Sequence, residues 1–151
     1  AMSVVPEYLK NKGSESGEVI DYMDWSIPLG RKFRGLKLWQ GINYYGINGL
    51  RKYIRENVDY TQQLKTWIEA NPDFEIVAPA PLNLACFKHK NGNEFNQKLH
   101  EEINRSGKLY ITRTKINDEY ILRFSIGQPT TTIEHVKNSW NLIVSTVKEL
   151  S

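Results

Sequence analysis

The 151-residue sequence predicts an α+β fold: a sheet of about four strands covered by helices, preceded by connecting helices and a mobile loop. From residue 74 onward, short β-rich segments alternate with amphipathic segments in the order β-β-α-β-β-α. From residue 30 to residue 69, apolar residues recur at helical spacing. Residues 1–26 instead combine Pro, Gly and Ser with mixed charges, which is typical of a loop.

The connecting region is expected to form two helices. The first runs from about Gly30 to Tyr45, and Gly46 is placed to end it. The second runs from about Asn48 to Glu69, where Asn71-Pro72-Asp73 stops it.

The following segments predict two pairs of strands separated by a helix. That helix carries Phe95, Leu99 and Ile103 at a spacing of four residues. The second pair is expected to be a hairpin around Asn117-Asp118. The predicted strands are residues 74–78, 82–90, 109–114 and 120–126.

The last helix has both a start signal and an apolar stripe. Thr131 with Glu134 matches a capping box. The stripe consists of Ile133, Val136, Trp140, Ile143, Val147 and Leu150.

Composition indicates a globular chain, with 40% hydrophobic and 25% charged residues. The net charge of +3 is spread along the chain, which favours a solvated surface over a polyanion site, and no membrane span or secretory signal is expected. Cys86 stands alone, so it forms no internal disulfide, and its apolar neighbours predict a buried, inert thiol. These features fit a cytosolic protein.

The sequence predicts no metal site. His89, His100 and His135 are scattered over different elements, without ligand spacing, and are interpreted as surface histidines.

Four cations, Arg31, Lys32, Arg34 and Lys37, open the first predicted helix. Cations there oppose the positive end of the helix dipole, and sequences usually avoid such a conflict unless a site needs it. From the residues alone, interface salt bridges and an anion-binding site remain equally open.

Two further residues have both a structural and a functional interpretation. Tyr8 lies in the Gly- and Ser-rich loop, where an aromatic residue is more often an anchor than a catalytic group. Arg123 interrupts an apolar strand and shares a face with Ile121 and Ser125. That face either meets solvent or gives Arg123 a buried partner.

The chain resembles the aromatic-L-amino-acid branch of the group II, fold-type-I pyridoxal-phosphate-dependent decarboxylases. The run from Pro28 to Lys37 (Pro-Leu-Gly-Arg-Lys-Phe-Arg-Gly-Leu-Lys) is the most specific likeness. The other matching stretches are residues 6–10, 21–25, 45–47, 71–75 and 122–124, with His135, Val136 and Trp140 of the last helix.

The resemblance implies roles for four residues. Tyr8 matches a tyrosine on a loop that closes over the active site and donates a proton after CO2 leaves. Gly30 matches a position lining the substrate pocket, with Leu29 beside it, and the small residue leaves room for an aromatic ring. Arg123 matches an arginine associated with the substrate carboxylate.

The resemblance also implies what this sequence does not supply. The lysine that forms the Schiff base with pyridoxal 5'-phosphate precedes the mobile loop in this family, and the chain carries no match to it. Residues 1–36 would be the end of the large domain, with the catalytic loop and linker, and residues 37–151 the small domain. The chain alone is therefore expected to be inactive and to need the large-domain portion of a homodimeric enzyme.

The function expected from the resemblance is decarboxylation of a tyrosine, DOPA or tryptophan type of substrate to an amine, without nucleic-acid or membrane partners. Two alternatives remain open. The basic helix could bind nucleic acid or an acidic protein, with an affinity that falls steeply with salt. The chain could also be a non-catalytic fragment that dimerises with a full-length partner.

Overall fold

The computed structural model describes residues 33–150. The chain divides into two compact units, residues 1–44 and residues 45–151. Within the first unit, residues 35–44 are helical, and their aromatic side chains are exposed: Trp39 has 61% and Tyr44 83% of its surface accessible. The Asn43 side-chain amide donates to the Trp39 carbonyl over 2.8 Å.

Helix α1 is assigned to Gly35–Glu69, but Gly46 inside it is not helical, with φ 67° and ψ 163°. This break separates the two predicted helices, because glycine adopts a positive φ without steric cost. The start near Gly30 was predicted too early, since Phe33 is not helical and the helix begins at Gly35. Arg34 therefore occupies the N-cap position, since its carbonyl accepts from the Leu38 amide, and Lys37 lies in the first turn. Both cations lie at the positive end of the helix dipole.

The second unit contains a four-stranded antiparallel sheet. The strands are β1 (Phe74–Ile76), β2 (Leu84–His89), β3 (Thr112–Ile116) and β4 (Glu119–Ser125), in the order β1-β2-β4-β3. Helix α2 (Asn93–Arg105) lies between β2 and β3 in the chain, and helix α3 (Ile133–Leu150) follows β4. The predicted α+β class and the β-β-α-β-β-α order are confirmed.

One face of this sheet packs against helices and forms the core. Alternate residues of the central strands, such as Phe87 and Leu122, are fully buried there. Burying one such side chain stabilises the fold by about 1.5–3 kcal/mol. The core residues are Leu64, Ile68, Phe74, Ala85, Phe87, Leu99, Ile103, Ile111, Tyr120, Leu122, Phe124, Ile126, Val136, Trp140, Ile143 and Val147.

Strand β3 begins three residues later than predicted because an asparagine captures the backbone before it. The Asn104 side chain accepts a hydrogen bond from the Ile111 amide over 2.9 Å and donates to the Ile111 carbonyl over 3.0 Å. These bonds take the place of ladder bonds at Ile111, so regular pairing with β4 starts at Thr112.

The turn between β3 and β4 is the predicted hairpin. Asn117 and Asp118 have φ values of 50° and 63°. Positive φ at both central residues is what a type I′ hairpin requires.

The cap of α3 differs from the predicted one by one residue. Thr132 and His135 bond reciprocally: the His135 amide donates to Thr132 Oγ1 over 3.4 Å, and the Thr132 amide donates to His135 Nδ1 over 3.2 Å. Thr131 and Glu134 are not the capping pair, because the helix starts at Ile133 and Thr132 is its N-cap.

Candidate functional site

The sheet face turned away from the core carries polar residues of the central strands together with Ile121, which is fully buried. Arg123 of β4 lies opposite Cys86 of β2 and Thr112 of β3 in the strand register. Side chains directly opposite in a sheet have Cβ atoms about 4.5–5.5 Å apart. Arg123 is thus flanked on this face by a thiol and a hydroxyl, with Ser125 two residues along its own strand.

The guanidinium of Arg123 is uncommitted within the described part of the chain. The residue is half-buried, and it forms no hydrogen bond or ion pair with any of residues 33–150. A guanidinium presents five donors in a planar fork that matches a carboxylate. Arg123 can therefore bind a carboxylate in two-point fashion.

A second cation on this face, Lys88 of β2, is already engaged. Its Nζ lies 2.5 Å from Glu119 and 3.9 Å from Glu75, and 17% of its side chain is exposed. The two carboxylates come from the strands on either side of β2. Lys88 therefore links strands, and Arg123 is the cation of the two that remains available to a ligand.

Cys86 is half-buried, so the prediction of a buried thiol was wrong. Its apolar neighbours Ala85 and Phe87 point into the core, and the pleat turns Cys86 to the opposite face.

His89 is buried, with 4% of its surface exposed, so it is not the surface histidine predicted. Its ring packs between Phe74 and Phe95, with centroids 5.0 and 4.5 Å away, and its Nδ1 accepts from the Asn91 amide over 3.2 Å. Burial lowers the pKa of His89, and the negative charge of Asp73 partly opposes that shift. The ring is held neutral as part of the core.

His100 is half-buried and lies in a polar contact at the edge of the core. The Tyr120 hydroxyl and His100 Nδ1 are 3.0 Å apart, and Arg113 lies over the Tyr120 ring at 5.4 Å. Burial raises the pKa of Tyr120, an effect that Arg113 opposes and Glu101 reinforces. The Tyr120 hydroxyl therefore stays protonated at neutral pH and supports the fold.

Within residues 33–150, no group of three or more His, Cys, Asp or Glu side chains could hold a metal ion. The helices in that range are also too short or too polar to cross a membrane.

Five of the residues singled out from the sequence lie outside the described residues. These are Tyr8, Leu29, Gly30, Arg31 and Lys32. Of the other candidates, Arg34 and Lys37 are exposed in the first unit, whereas Arg123 lies in the second.

The lysines between residues 33 and 150 do not fit a covalent pyridoxal phosphate site. Each is exposed or half-buried, and the half-buried Lys65 and Lys88 both pair with glutamates. A lysine that attacks a carbonyl carbon needs a free, neutral amine, which burial favours. We therefore assign the covalent bond to pyridoxal phosphate to none of the lysines within residues 33–150.

Two groups of residues were missed from the sequence. The ion pairs of Lys88 join three strands, and no pattern in the neighbouring sequence predicts them. The hydrogen bonds from the Asn96 and Asn104 side chains to backbone groups of His89 and Ile111 were missed as well. A weak signal for both was available, since asparagine on an amphipathic helix is a poor helix former that often bonds to the backbone.

Comparison with known proteins assigns the chain to one family. Residues 1–90 match the pyridoxal-dependent decarboxylase conserved domain. Tyrosine decarboxylase 2 of Narcissus pseudonarcissus is 38% identical over 149 residues, covering 94% of this chain and 30% of that protein. Phenylacetaldehyde synthase of Arabidopsis thaliana is 41% identical over 150 residues, covering 95% of this chain and 31% of that protein.

A solved structure has the same fold. The crystal structure of Oryza sativa TDC with PLP and tryptamine aligns with a TM-score of 0.83 and 34% identity, covering 99% of this chain and 33% of that one.

Proposed function

Because the chain belongs to the pyridoxal-dependent decarboxylase family, we propose that it is the C-terminal part of an enzyme that converts an aromatic L-amino acid to an amine and CO2. The substrate would be of the tyrosine, DOPA or tryptophan type. The chain spans about 30% of the length of the curated relatives it matches, so the activity would belong to the longer enzyme. Pyridoxal phosphate, held by the rest of that enzyme, supplies the electron-withdrawing ring when bound.

The observation that carries this proposal is the free guanidinium of Arg123. It is half-buried, faces away from the core, and makes no ion pair with residues 33–150. Leaving a partly buried charge without a partner has a desolvation cost, which a ligand carboxylate would offset. We therefore assign Arg123 to the carboxylate of the amino acid substrate.

Three residues outside the described range complete the proposed site. The Tyr8 hydroxyl would donate a proton to the substrate Cα from which CO2 has left, a step that needs the donor within hydrogen-bond reach. Gly30, with Leu29 beside it, would leave space for the aromatic ring.

The proposed partners are the large-domain portion of the enzyme and a second copy, giving a homodimer. Residues 1–36 would complete the large domain and residues 37–151 would form the small domain. A cytosolic location and a role in amino-acid metabolism fit the single cysteine and the chemistry.

The test uses the full-length enzyme that contains this chain. CO2 release and amine formation are measured with tyrosine, DOPA and tryptophan for the unaltered enzyme and for Arg123→Gln. Losing a charged two-point contact should raise KM about 10- to 100-fold. The matched control is Lys88→Gln, which removes the other cation of the same face and should leave KM within about twofold, because its partners are Glu75 and Glu119.

A second variant tests the acid. Tyr8→Phe should lower amine formation while substrate binding persists, and assays for aldehyde and hydrogen peroxide would show whether oxidative deamination replaces it. If none of the three amino acids is decarboxylated, the proposed activity fails. An unchanged KM in Arg123→Gln would remove Arg123 from the site.

A further inference from the structure

A groove of about 760 Å³ lies among the helices of the second unit. Its walls come from the end of α1, the turn at residues 71–73, and one side of α3. Binding pockets for small ligands typically span about 300–1,000 Å³ and have mainly apolar walls with a few polar groups. The groove lies within that range of volume, and its lining combines apolar side chains with polar and charged ones.

The floor of the groove is aromatic and fixed in place. Trp140 is 8% exposed, and its ring packs edge-on against Phe74 and Phe87, with centroids 5.0 and 6.2 Å away. Trp67 and Val144 also line the groove and pack against the core from partly buried positions. A flat apolar group can bind such a floor without rearranging it.

Two polar side chains of α3 lie at the edge of the groove. Lys137 and Asn141 lie four residues apart on α3, so they are neighbours on one helix face. Neither side chain forms a hydrogen bond or ion pair with residues 33–150. An ammonium and an amide next to an apolar floor suit a carboxylate.

The remaining charges of the groove are Asp73 and Lys148, so cations outnumber carboxylates along its rim. Lys148 follows Lys137 by eleven residues, which places them about 16 Å apart along the helix axis. That distance exceeds the Debye length of about 8 Å at physiological salt, so the charge of Lys148 is largely screened from an anion bound beside Lys137 and Asn141. Near Lys148, the Ser145 hydroxyl already donates to the Leu142 carbonyl over 2.9 Å, which leaves that end poorer in free donors.

We infer that this groove binds a small aromatic carboxylate, with its ring on the Trp67–Trp140 floor and its carboxylate at Lys137 and Asn141. The site lies among the helices, whereas Arg123 lies on the sheet face that points away from them. The inference therefore does not depend on the decarboxylase activity proposed above.

The test follows the indole N–H signals of the 151-residue chain by NMR during titration with 3-phenylpropionate. The signals of Trp67 and Trp140 should move and saturate, because the ring of the ligand contacts these two side chains. The signal of Trp39, which lies in the first unit, serves as the internal reference and should stay fixed. Phenethylamine, which has the ring but the opposite charge, should bind at least about fivefold more weakly.

Two exposed substitutions separate the proposed carboxylate site from general apolar binding. Lys137→Gln and Asn141→Ala should each weaken the affinity for 3-phenylpropionate, the former at least about fivefold. Lys148→Gln is the matched control and should change the affinity by less than about twofold. All three positions are exposed, so the fold should persist in each variant.

Three results would overturn the inference. The first is the absence of any shift of the Trp67 and Trp140 signals at millimolar ligand. The second is equal binding of the carboxylate and the amine. The third is an equal loss of affinity in Lys137→Gln and Lys148→Gln, which would mean that net charge rather than a defined site attracts the ligand.

Discussion

Replacement of Asn96 by alanine should destabilise the second unit more than its small change in volume suggests. Asn96 lies on α2 and is 1% exposed. Its side chain accepts a hydrogen bond from the His89 amide and donates to the His89 and Gly92 carbonyls, each over 2.8 Å. These bonds join the end of β2 to the first turn of α2.

The magnitude follows from the groups that would be left without partners. In Asn96→Ala the buried His89 amide and carbonyl both lose this partner, whereas the Gly92 carbonyl keeps the backbone amide of residue 96 at 3.1 Å. Each buried group left unpaired costs about 1–3 kcal/mol. We therefore expect the free energy of unfolding to fall by about 3 kcal/mol, which for a unit of this size corresponds to a Tm lowered by about 10–15 °C.

Urea titration followed by far-UV circular dichroism measures this loss, with thermal melting as a second readout. The control is Gln97→Ala on the adjacent, exposed position, where the side chain bonds only to Glu101 over 2.9 Å. That variant should lose less than about 0.5 kcal/mol. A loss below about 1 kcal/mol in Asn96→Ala would refute the reasoning, because it would show that solvent or a rearranged turn satisfies the His89 backbone.

Other contacts give three further expectations. Burial lowers the pKa of His89, so as the pH falls below about 6.5 the unfolded chain takes up the proton first and the free energy of unfolding decreases. His89→Gln should reduce this pH dependence in urea titrations at about pH 7.5 and 5.5. An unaltered difference in the free energy of unfolding between the two pH values would contradict this expectation. Thr132→Val should lower the free energy of unfolding by about 1 kcal/mol through loss of the N-cap, whereas Thr131→Val should leave it nearly unchanged. The reverse order would show that Thr131 is the N-cap, as the sequence predicted. Asn104→Ala should lower the free energy of unfolding by about 1–3 kcal/mol and speed hydrogen exchange of the Ile111 amide. Unchanged exchange would mean that the hydrogen bond to Asn104 does not protect this amide.

The elements predicted correctly are those whose signals are local. The two-residue turn at Asn117-Asp118 needs positive φ at both positions, and the residue types alone announce it. The apolar stripe of α3 likewise records its buried face directly in the sequence. These signals act over a few residues, so no knowledge of distant partners is needed.

The errors arise where a distant partner decides the outcome. The start of β3 is set by Asn104, which reaches Ile111 from the preceding helix. The burial of His89 depends on aromatic rings from two other elements. Hydrophobic periodicity predicts neither the start of β3 nor the burial of His89, because it depends on neighbours along the chain and not on contacts across the fold.

The candidate site was only partly predictable for the same reason. Arg123 stood out because a cation in an apolar strand is unusual, and the structure shows it half-buried and unengaged by residues 33–150. The ion pairs of Lys88 with Glu75 and Glu119 could not be predicted, since the three residues lie on three different strands.

The strand order β1-β2-β4-β3 also bears on how the second unit folds during synthesis. Strand β2 pairs with β1 on one side but finds its other neighbour, β4, only after α2 and β3 have been made. A nascent chain that has emerged as far as α2 therefore exposes an unpaired strand edge beside an incomplete core, the kind of surface that aggregates. Because Phe87 and Leu99 lack their partners from β4 and α3 until then, we expect chaperones to bind this intermediate for the interval, of order seconds, that translation of residues 106–150 takes.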